Sequence, residues 1–159
     1  MRDATRHAAG ALPACVLALV LFSGGTGNPT LMADQSKEKP SSILVHVTHG
    51  PEHPTRAALA FLVARTALEE GHRVTLFLAG DAVQLMRDQV LDAVAGLGTG
   101  RLRDHYDAIV KAGGRFYLSG MSSTARGVAE ADLAGKPAEF AQPSVLVRLS
   151  LEHERMFTY

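Results

Sequence analysis

The chain has 159 residues, which is enough for one domain with a sizeable core and too few for two domains of ordinary size. Lysine plus arginine and aspartate plus glutamate both number 16, so no excess of positive charge favours nucleic acid as a partner. Hydrophobic residues make up 47% of the chain and charged residues 20%, which is typical of a globular α/β protein and argues against disorder.

The first 33 residues have the pattern of a secretory signal peptide. Arg2 and Arg6 precede an apolar run from Ala8 to Phe22, and small or polar residues follow it. This run is short for a membrane span. We therefore predict export, to the periplasm or out of the cell, with an uncleaved membrane anchor or a cytoplasmic protein with a misplaced start codon as alternatives. Residues 34–41 form a polar linker to a domain over residues 42–159.

The only cysteine, Cys15, lies inside the apolar run. A mature chain without that segment has no disulfide, no thiol redox chemistry and no cysteine-bound metal.

Strand and helix patterns alternate along the predicted domain. Short apolar runs predict strands over residues 43–47, 73–78, 115–119 and 155–159. Predicted helices cover residues 55–70, 102–112 and 143–152, and two others have less regular signals. The first of these has Val83, Met86, Val90 and Val94 on one face and ends at the glycines of positions 96, 98 and 100. We interpret these glycines as a flexible break. The second is capped by Ser123 or Thr124 and ends at Gly135. This alternation predicts an α/β fold with a parallel sheet covered on both faces.

Polar residues follow three of the predicted strands. In an open parallel sheet, ligands bind beyond the carboxyl ends of the strands. The residues predicted to lie there are His49, Glu52, His53, Asp81, Ser119, Gly120, Ser122 and, in the following helix, Arg126. Helices that begin at Thr55 and near Thr124 would direct backbone N–H groups at a small anion such as sulfate, phosphate or carboxylate. The alternative is a set of ordinary capped loops, and Arg126 is placed either to hold an anion or to pair with Glu130.

His49 to His53 matches H-x-x-E-H, a metallopeptidase signature. That motif requires a helix, and Gly50-Pro51 directly after a strand opposes one. Zinc held by His49 and His53, with Glu52 nearby, is the alternative to a simple turn, and no other cofactor is predicted. His46 is expected to be half-buried with its hydrogen bonds satisfied. Ser119, His49 and Asp81 are the residue types of a hydrolase triad, but Ser119 lies outside any G-x-S-x-G sequence.

Three segments together carry a resemblance to the DsrE/DsrF-like family of sulfur-relay proteins, over about residues 42–159. They are VHVTHGPEHPTRAALAF, GHRVTLFLAGDAV and GGRFYLSGMSSTARG. The resemblance implies a flavodoxin-like three-layer sandwich with a mostly parallel sheet of four or five strands. It also implies a homo-oligomer, a trimer or a hexamer, and a sulfur-pathway protein as a further partner.

The same resemblance bears on activity. In relatives that transfer sulfur, a cysteine at a strand end holds a persulfide, and counting back from Arg126-Gly127 places Ser119 at that position. A hydroxyl cannot take over this role, because it lacks the nucleophilicity of a thiolate. The resemblance thus implies a noncatalytic module for binding a small molecule or anion, or for assembly. A metal-binding protein and an accessory partner of a sulfur carrier remain the alternatives.

Overall fold

The structure is a computed structural model, and it describes residues 39–159. The predicted signal peptide or anchor over residues 1–33 and most of the predicted linker lie outside the described residues. Among the helices of residues 39–159, none combines the length and the hydrophobicity needed to cross a membrane.

Strands and helices alternate along the described residues, as the sequence predicts. In chain order the elements are β1 (Ser42–Val47), α1 (Pro54–Glu69), β2 (Arg73–Leu78), a 3-10 helix (Gly80–Met86), α2 (Asp88–Ala93), β3 (Ala95–Gly96), β4 (Gly100–Arg101), α3 (Leu102–Lys111), β5 (Arg115–Ser119), α4 (Gly120–Ala125), α5 (Glu130–Leu133), β6 (Ala138–Ala141), α6 (Pro143–Glu152) and β7 (Arg155–Thr158).

Five strands form one parallel sheet in the order β6-β5-β2-β1-β7. This confirms the predicted flavodoxin-like α/β sandwich. The chain moves stepwise from β1 to β6, and α6 then crosses back so that β7 lies on the far side of β1. Because parallel crossovers are right-handed, a reversal of direction places α6 on the opposite face of the sheet from the other helices.

Each face of the sheet has its own apolar core. The larger core packs strand residues such as Val45, Leu76 and Leu118 against Phe61 of α1 and Ile109 of α3. The smaller core lies under α6, where its members are Leu44, Phe77, Ala141 and Leu149. α1 is apolar on more than one side, and it packs against both the sheet and α3, which explains that pattern.

The predicted helix after β2 is interrupted. Arg87 adopts an extended conformation with ψ of 133°, and it separates the 3-10 helix from α2. The predicted apolar face is nevertheless correct, because Val83, Met86 and Val94 are buried. The glycine-rich break that follows is a short antiparallel hairpin of β3 and β4, in which Gly98 and Gly100 have positive φ angles of 74° and 85°.

The prediction for the segment after β5 is wrong in two respects. The helix begins at Gly120 and not after Ser123 or Thr124, and it ends before Gly127, whose φ is 63°. Only the four-residue α5 follows, and then the unpredicted strand β6 pairs with β5. The sequence of β6, Ala-Glu-Phe-Ala, lacks the long apolar run that β1 and β2 have, so its pairing with β5 decides its conformation.

Candidate functional site

The loops after β1, β2 and β5 contact one another at the carboxyl ends of the strands. Gly50 lies so close to the second loop that a Cβ atom there would be 2.7 Å from the backbone carbonyl carbon of Asp81. The Gly80 N–H donates to Ser122 Oγ at 3.0 Å, which joins the second loop to α4. These contacts bring the predicted residues to one edge. We call this set the carboxyl-edge site: His49, Glu52, His53, Asp81, Ser119, Gly120, Ser122 and Arg126.

Ser119 is the N-cap of α4. Its hydroxyl oxygen accepts a hydrogen bond from the Ser122 N–H at 3.4 Å, and its backbone is still extended, with ψ of 113°. An N-cap serine satisfies a backbone donor that the first turn of a helix leaves unpaired. No histidine or carboxylate is hydrogen-bonded to this hydroxyl within residues 39–159. Ser119 therefore serves the helix and has no base to activate it.

Arg126 pairs with Asp81 and not with Glu130. Its Nε donates to Asp81 Oδ1 at 2.7 Å, and Nη1 donates a longer bond of 3.5 Å to the Ser122 carbonyl. Glu130 begins α5, beyond the turn at Gly127, and no longer follows Arg126 on one continuous helix. The hydrogen bond from Arg126, with a smaller effect of the nearby His49, lowers the pKa of Asp81 below its ordinary 3.8, so Asp81 is ionised at neutral pH.

His49 is bonded on both ring nitrogens. Nε2 lies 3.1 Å from Arg56 Nη1, and since a guanidinium can only donate, Nε2 must accept. The ring proton is then on Nδ1 and donates to Thr48 Oγ1 at 3.3 Å, while the Thr48 hydroxyl donates to the Tyr159 carbonyl at 2.8 Å. Neither ring nitrogen of His49 is hydrogen-bonded to Ser119 or Asp81 among residues 39–159. The three residue types of a hydrolase triad therefore do not form one.

The H-x-x-E-H segment is a turn, as Gly50-Pro51 predicts. The His53 N–H donates to the Gly50 carbonyl, and Glu52 Oε1 accepts from the Gly50 N–H at 2.8 Å. The His49 and His53 rings lie 5.0 Å apart in an edge-to-face arrangement. Within the described part of the chain, no group of three or more His, Cys, Asp or Glu side chains is arranged to hold a metal ion. The zinc hypothesis would require His49 Nε2 to exchange its bond to Arg56 for the metal.

Two smaller predictions near the site differ from the structure. Thr55 does not cap α1, because α1 begins at Pro54 with His53 as its N-cap. The Thr55 hydroxyl instead accepts a hydrogen bond from the Leu97 N–H at 3.0 Å. His46 is half-buried as predicted, but its Nε2 has no hydrogen-bond partner among the described residues. Burial lowers the pKa of His46, because an imidazolium loses hydration there.

One residue that shapes the site was not predicted. Arg87 Nη2 donates to the carbonyls of Arg126 at 2.8 Å and Gly127 at 2.6 Å, and so holds the turn at the end of α4. Arg87 lies almost 40 residues before that turn. Nothing in the local pattern around Arg87 indicates this contact.

Comparison with known proteins decides the family. The model of the DsrE/DsrF-like family matches residues 41–159. The chain belongs to the DsrE/DsrF-like family. The match covers all the strands of the sheet and all three loops of the carboxyl-edge site, so the predicted resemblance is confirmed. A search of curated proteins found no match to the chain.

Two solved structures share the fold of this chain. The crystal structure of the YchN protein from E. coli superimposes with a TM-score of 0.60 at 16% identity, covering 76% of this chain and 100% of that one. A conserved protein of unknown function, BT1422 from Bacteroides thetaiotaomicron, gives a TM-score of 0.54 at 11% identity, covering 75% of this chain and 95% of that one. At these identities the likeness concerns the fold alone.

Proposed function

We propose that this protein is a noncatalytic member of the DsrE/DsrF-like family that binds a small anion at the carboxyl-edge site. The observation that carries the proposal is the role of Ser119. A hydroxyl stands where sulfur-transferring relatives are expected to have a thiol, and it serves as a helix cap with no neighbouring base. Without a base, a serine hydroxyl is a weak nucleophile.

Arg126 supplies the charge for the anion. A guanidinium has five N–H donors, and within residues 39–159 Asp81 and the Ser122 carbonyl accept from two of them. The remaining donors are available to an oxyanion such as sulfate, phosphate or a carboxylate. Asp81, being ionised, competes with such an ion for Arg126. Binding is thus expected to be weak unless the ligand displaces or outcompetes Asp81.

A sulfur-transfer assay tests the noncatalytic part of the proposal. The full chain, with Cys15→Ser to remove its only thiol, is incubated with a low-molecular-weight persulfide donor, and bound sulfane sulfur is measured by mass spectrometry. We expect no sulfur on this variant and one acceptor thiol in Cys15→Ser/Ser119→Cys. The matched control is Cys15→Ser/Ser122→Cys, in which the new thiol lies three residues further along α4. Sulfur stably bound to the cysteine-free chain would refute the proposal.

A sulfate titration tests anion binding. We expect Arg126→Gln to abolish the amide shifts that sulfate induces in the carboxyl-edge site. Asp81→Asn should strengthen sulfate binding, because it removes the competing carboxylate while keeping the side-chain shape. Arg148, whose partner is Glu152 on the exposed side of α6, provides the control Arg148→Gln. Sulfate affinity that is unchanged in both site variants would exclude this anion site.

Assembly into a homo-oligomer is the second part of the proposal. Four large apolar side chains remain exposed on α6 and β7: Val147, Leu151, Met156 and Phe157, with exposed fractions of 60%, 81%, 43% and 42%. Met156 and Phe157 are consecutive strand residues and point to opposite faces of the sheet, so exposed apolar side chains, which are typical of protein contacts, occur on both faces of this edge. Light scattering should give a trimer or hexamer for the full chain, and Leu151→Glu should reduce its mass. A monomer at all concentrations would contradict assembly.

A second candidate function is that of an accessory partner of a sulfur carrier. It is favoured by Met121, which is 71% exposed and follows Gly120 in the carboxyl-edge site. An exposed methionine suits an adaptable protein contact. Co-purification from the native host should recover a sulfur-pathway protein with the wild type and lose it with Met121→Glu, while Leu97→Glu, at a 90% exposed position outside the proposed assembly surface, should retain it. Elemental analysis of the same preparation tests the zinc hypothesis.

Export remains part of the proposed role and rests on the N-terminal sequence pattern alone. N-terminal sequencing of the protein from its native host is the direct test. A mature N-terminus near residues 27–34 would support a cleaved signal peptide, and a retained Met1 would support the anchored or cytoplasmic alternatives.

A further inference from the structure

A cavity of about 340 Å³ lies on the far side of α4 from Asp81. One wall is α4. The other wall is formed by β6, by the residue that follows β6 and by the turn that follows α4. The lining residues are Gly120, Met121, Ser123, Thr124, Val128, Phe140 and Gln142. Only Gly120 also belongs to the carboxyl-edge site.

The two sides of α4 face different surroundings because of helical spacing. Ser119, Ser122 and Arg126 recur at intervals of three and four residues, and Ser122 and Arg126 contact the loop after β2. Ser123 and Thr124, which follow Gly120 by three and four residues, lie with it on another side of the helix and line the cavity. A ligand in the cavity would therefore contact α4 from the side opposite the Asp81–Arg126 pair.

Ser123 is the unusual member of the lining. It is 2% exposed, and its hydroxyl has no hydrogen-bond partner among the described residues. Thr124, its neighbour, donates to the Gly120 carbonyl at 3.0 Å, which is the usual way for a helical hydroxyl to be satisfied. Most buried hydroxyls in folded proteins have a partner, so Ser123 is an exception that needs a cause. A serine hydroxyl moves between staggered rotamers, and rotation can direct it into the cavity that Ser123 lines.

The chemistry of the lining defines the ligand class. Met121, Val128 and Phe140 provide apolar surface, whereas Ser123 and the Gln142 amide provide polar groups. Of the described residues, none with a charged or titratable side chain lines the cavity, so a charged ligand would lose hydration without gaining a partner there. The volume lies at the lower end of the range for ligand pockets.

We propose that this cavity binds a small uncharged molecule with an apolar body and one hydroxyl group, and that Ser123 is the residue that hydrogen-bonds the hydroxyl. The proposal is independent of the anion site, since the ligand is neutral and the decisive residues are different.

Three probes of similar ring size test the proposal by NMR titration of the isotope-labelled full chain: benzyl alcohol, toluene and benzoate. Benzyl alcohol should shift the amides of the lining residues and saturate. Toluene should bind about fivefold more weakly, as expected for the loss of one hydrogen bond, and benzoate more weakly still.

Two variants and a control make the assignment specific. Ser123→Ala should reduce the affinity for benzyl alcohol about fivefold, to that of toluene, and leave toluene binding unchanged. Thr124→Phe replaces an exposed lining residue with a larger one and should abolish binding of both probes. Ser150→Ala, on the exposed side of α6, should bind all three probes like the wild type. Benzoate that shifts the amides of Ser123, Thr124 and Phe140 with an affinity as tight as that of benzyl alcohol, an unchanged affinity in Ser123→Ala, or benzyl alcohol shifts confined to other regions would overturn the proposal; benzoate shifts confined to Asp81 and Arg126 report the separate anion site.

Discussion

Arg126 Nε donates to Asp81 Oδ1 at 2.7 Å, and this ion pair joins α4 to the loop after β2. The pair is partly open to solvent, with 28% of the Arg126 side chain and 48% of the Asp81 side chain exposed. Solvent screening at that exposure limits its contribution to stability. Its importance lies in the charge state of the carboxyl-edge site, where Asp81 stays ionised beside an arginine that has further N–H donors without a partner among residues 39–159.

The charge coupling between these two residues can be measured directly. Because the hydrogen bond from Arg126 is the main cause of the lowered pKa of Asp81, Arg126→Gln should raise that pKa towards 3.8. NMR titration of the Asp81 carboxyl carbon gives its pKa in the wild type and in Arg126→Gln. Arg148→Gln removes an arginine that is paired elsewhere and should leave Asp81 unaffected. An Asp81 pKa that is equal in wild type and Arg126→Gln would contradict the assigned cause.

Gly50 is expected to tolerate no side chain. A Cβ atom there would lie 2.7 Å from the Asp81 carbonyl carbon, and backbone atoms cannot move aside as the end of a side chain can. Gly50→Ala should therefore lower the free energy of unfolding by about 1–3 kcal/mol, as overpacking does. Gly120→Ala is the matched control, because its Cβ would be 3.6 Å from the nearest atom, the Ala141 carbonyl oxygen. Urea denaturation should give a clearly lower free energy of unfolding for Gly50→Ala than for Gly120→Ala. Similar free energies would mean that the loops after β1 and β2 are not in close contact.

Lys136 joins α5 to α2. Its side chain is 7% exposed, and Nζ donates to the Asp132 carbonyl at 2.7 Å and to Asp88 Oδ2 at 3.1 Å. Lys136→Met keeps the apolar stem but leaves the Asp132 carbonyl without this donor, whereas the Asp88 carboxylate is 64% exposed and can be hydrated, so we expect a loss of about 1 kcal/mol in the free energy of unfolding. Lys111→Met, at an exposed position of α3, should change stability little. Equal losses in the two variants would show that the buried contacts of Lys136 do not stabilise the fold.

His46 should make stability depend on pH. Its pKa is below 6.5 in the folded state, so below pH 6.5 the unfolded chain binds more protons than the folded one. The neutral form of His46 therefore contributes to the free energy of unfolding above pH 6.5. This contribution is lost as the pH falls through the pKa of His46 in the folded state. His46→Gln should make stability depend less steeply on pH between about pH 7 and pH 5.

A variant at the strand partner of His46 serves as the control for that experiment. Thr158 is aligned with His46 across β1 and β7, and Thr158→Val leaves the imidazole in place. It should keep the wild-type pH dependence. If His46→Gln also keeps it, the imidazole is not the group responsible.

The strongest local patterns predicted their elements well. β2, β5 and α6 have the predicted bounds, because runs of aliphatic and aromatic residues and a proline at a helix start act within a few neighbouring residues. The eight site residues were also predicted to lie at one edge, which follows from parallel strands having their carboxyl ends together. The hydrogen-bond partners of those residues were not predicted. Arg126 was predicted either to hold an anion or to pair with Glu130, and the turn at Gly127 removed the second possibility.

By itself, the sequence determined the alternation of strands and helices, the family and the lack of a cysteine beyond position 15. Only the tertiary structure decided that β7 pairs with β1, that the weakly patterned β6 is a strand, and that the Ser119 hydroxyl caps α4. These outcomes depend on contacts between residues far apart in the chain, whereas periodicity and capping signals report only on neighbours within a few residues. For that reason the position of the site could be predicted, but its hydrogen bonds could not.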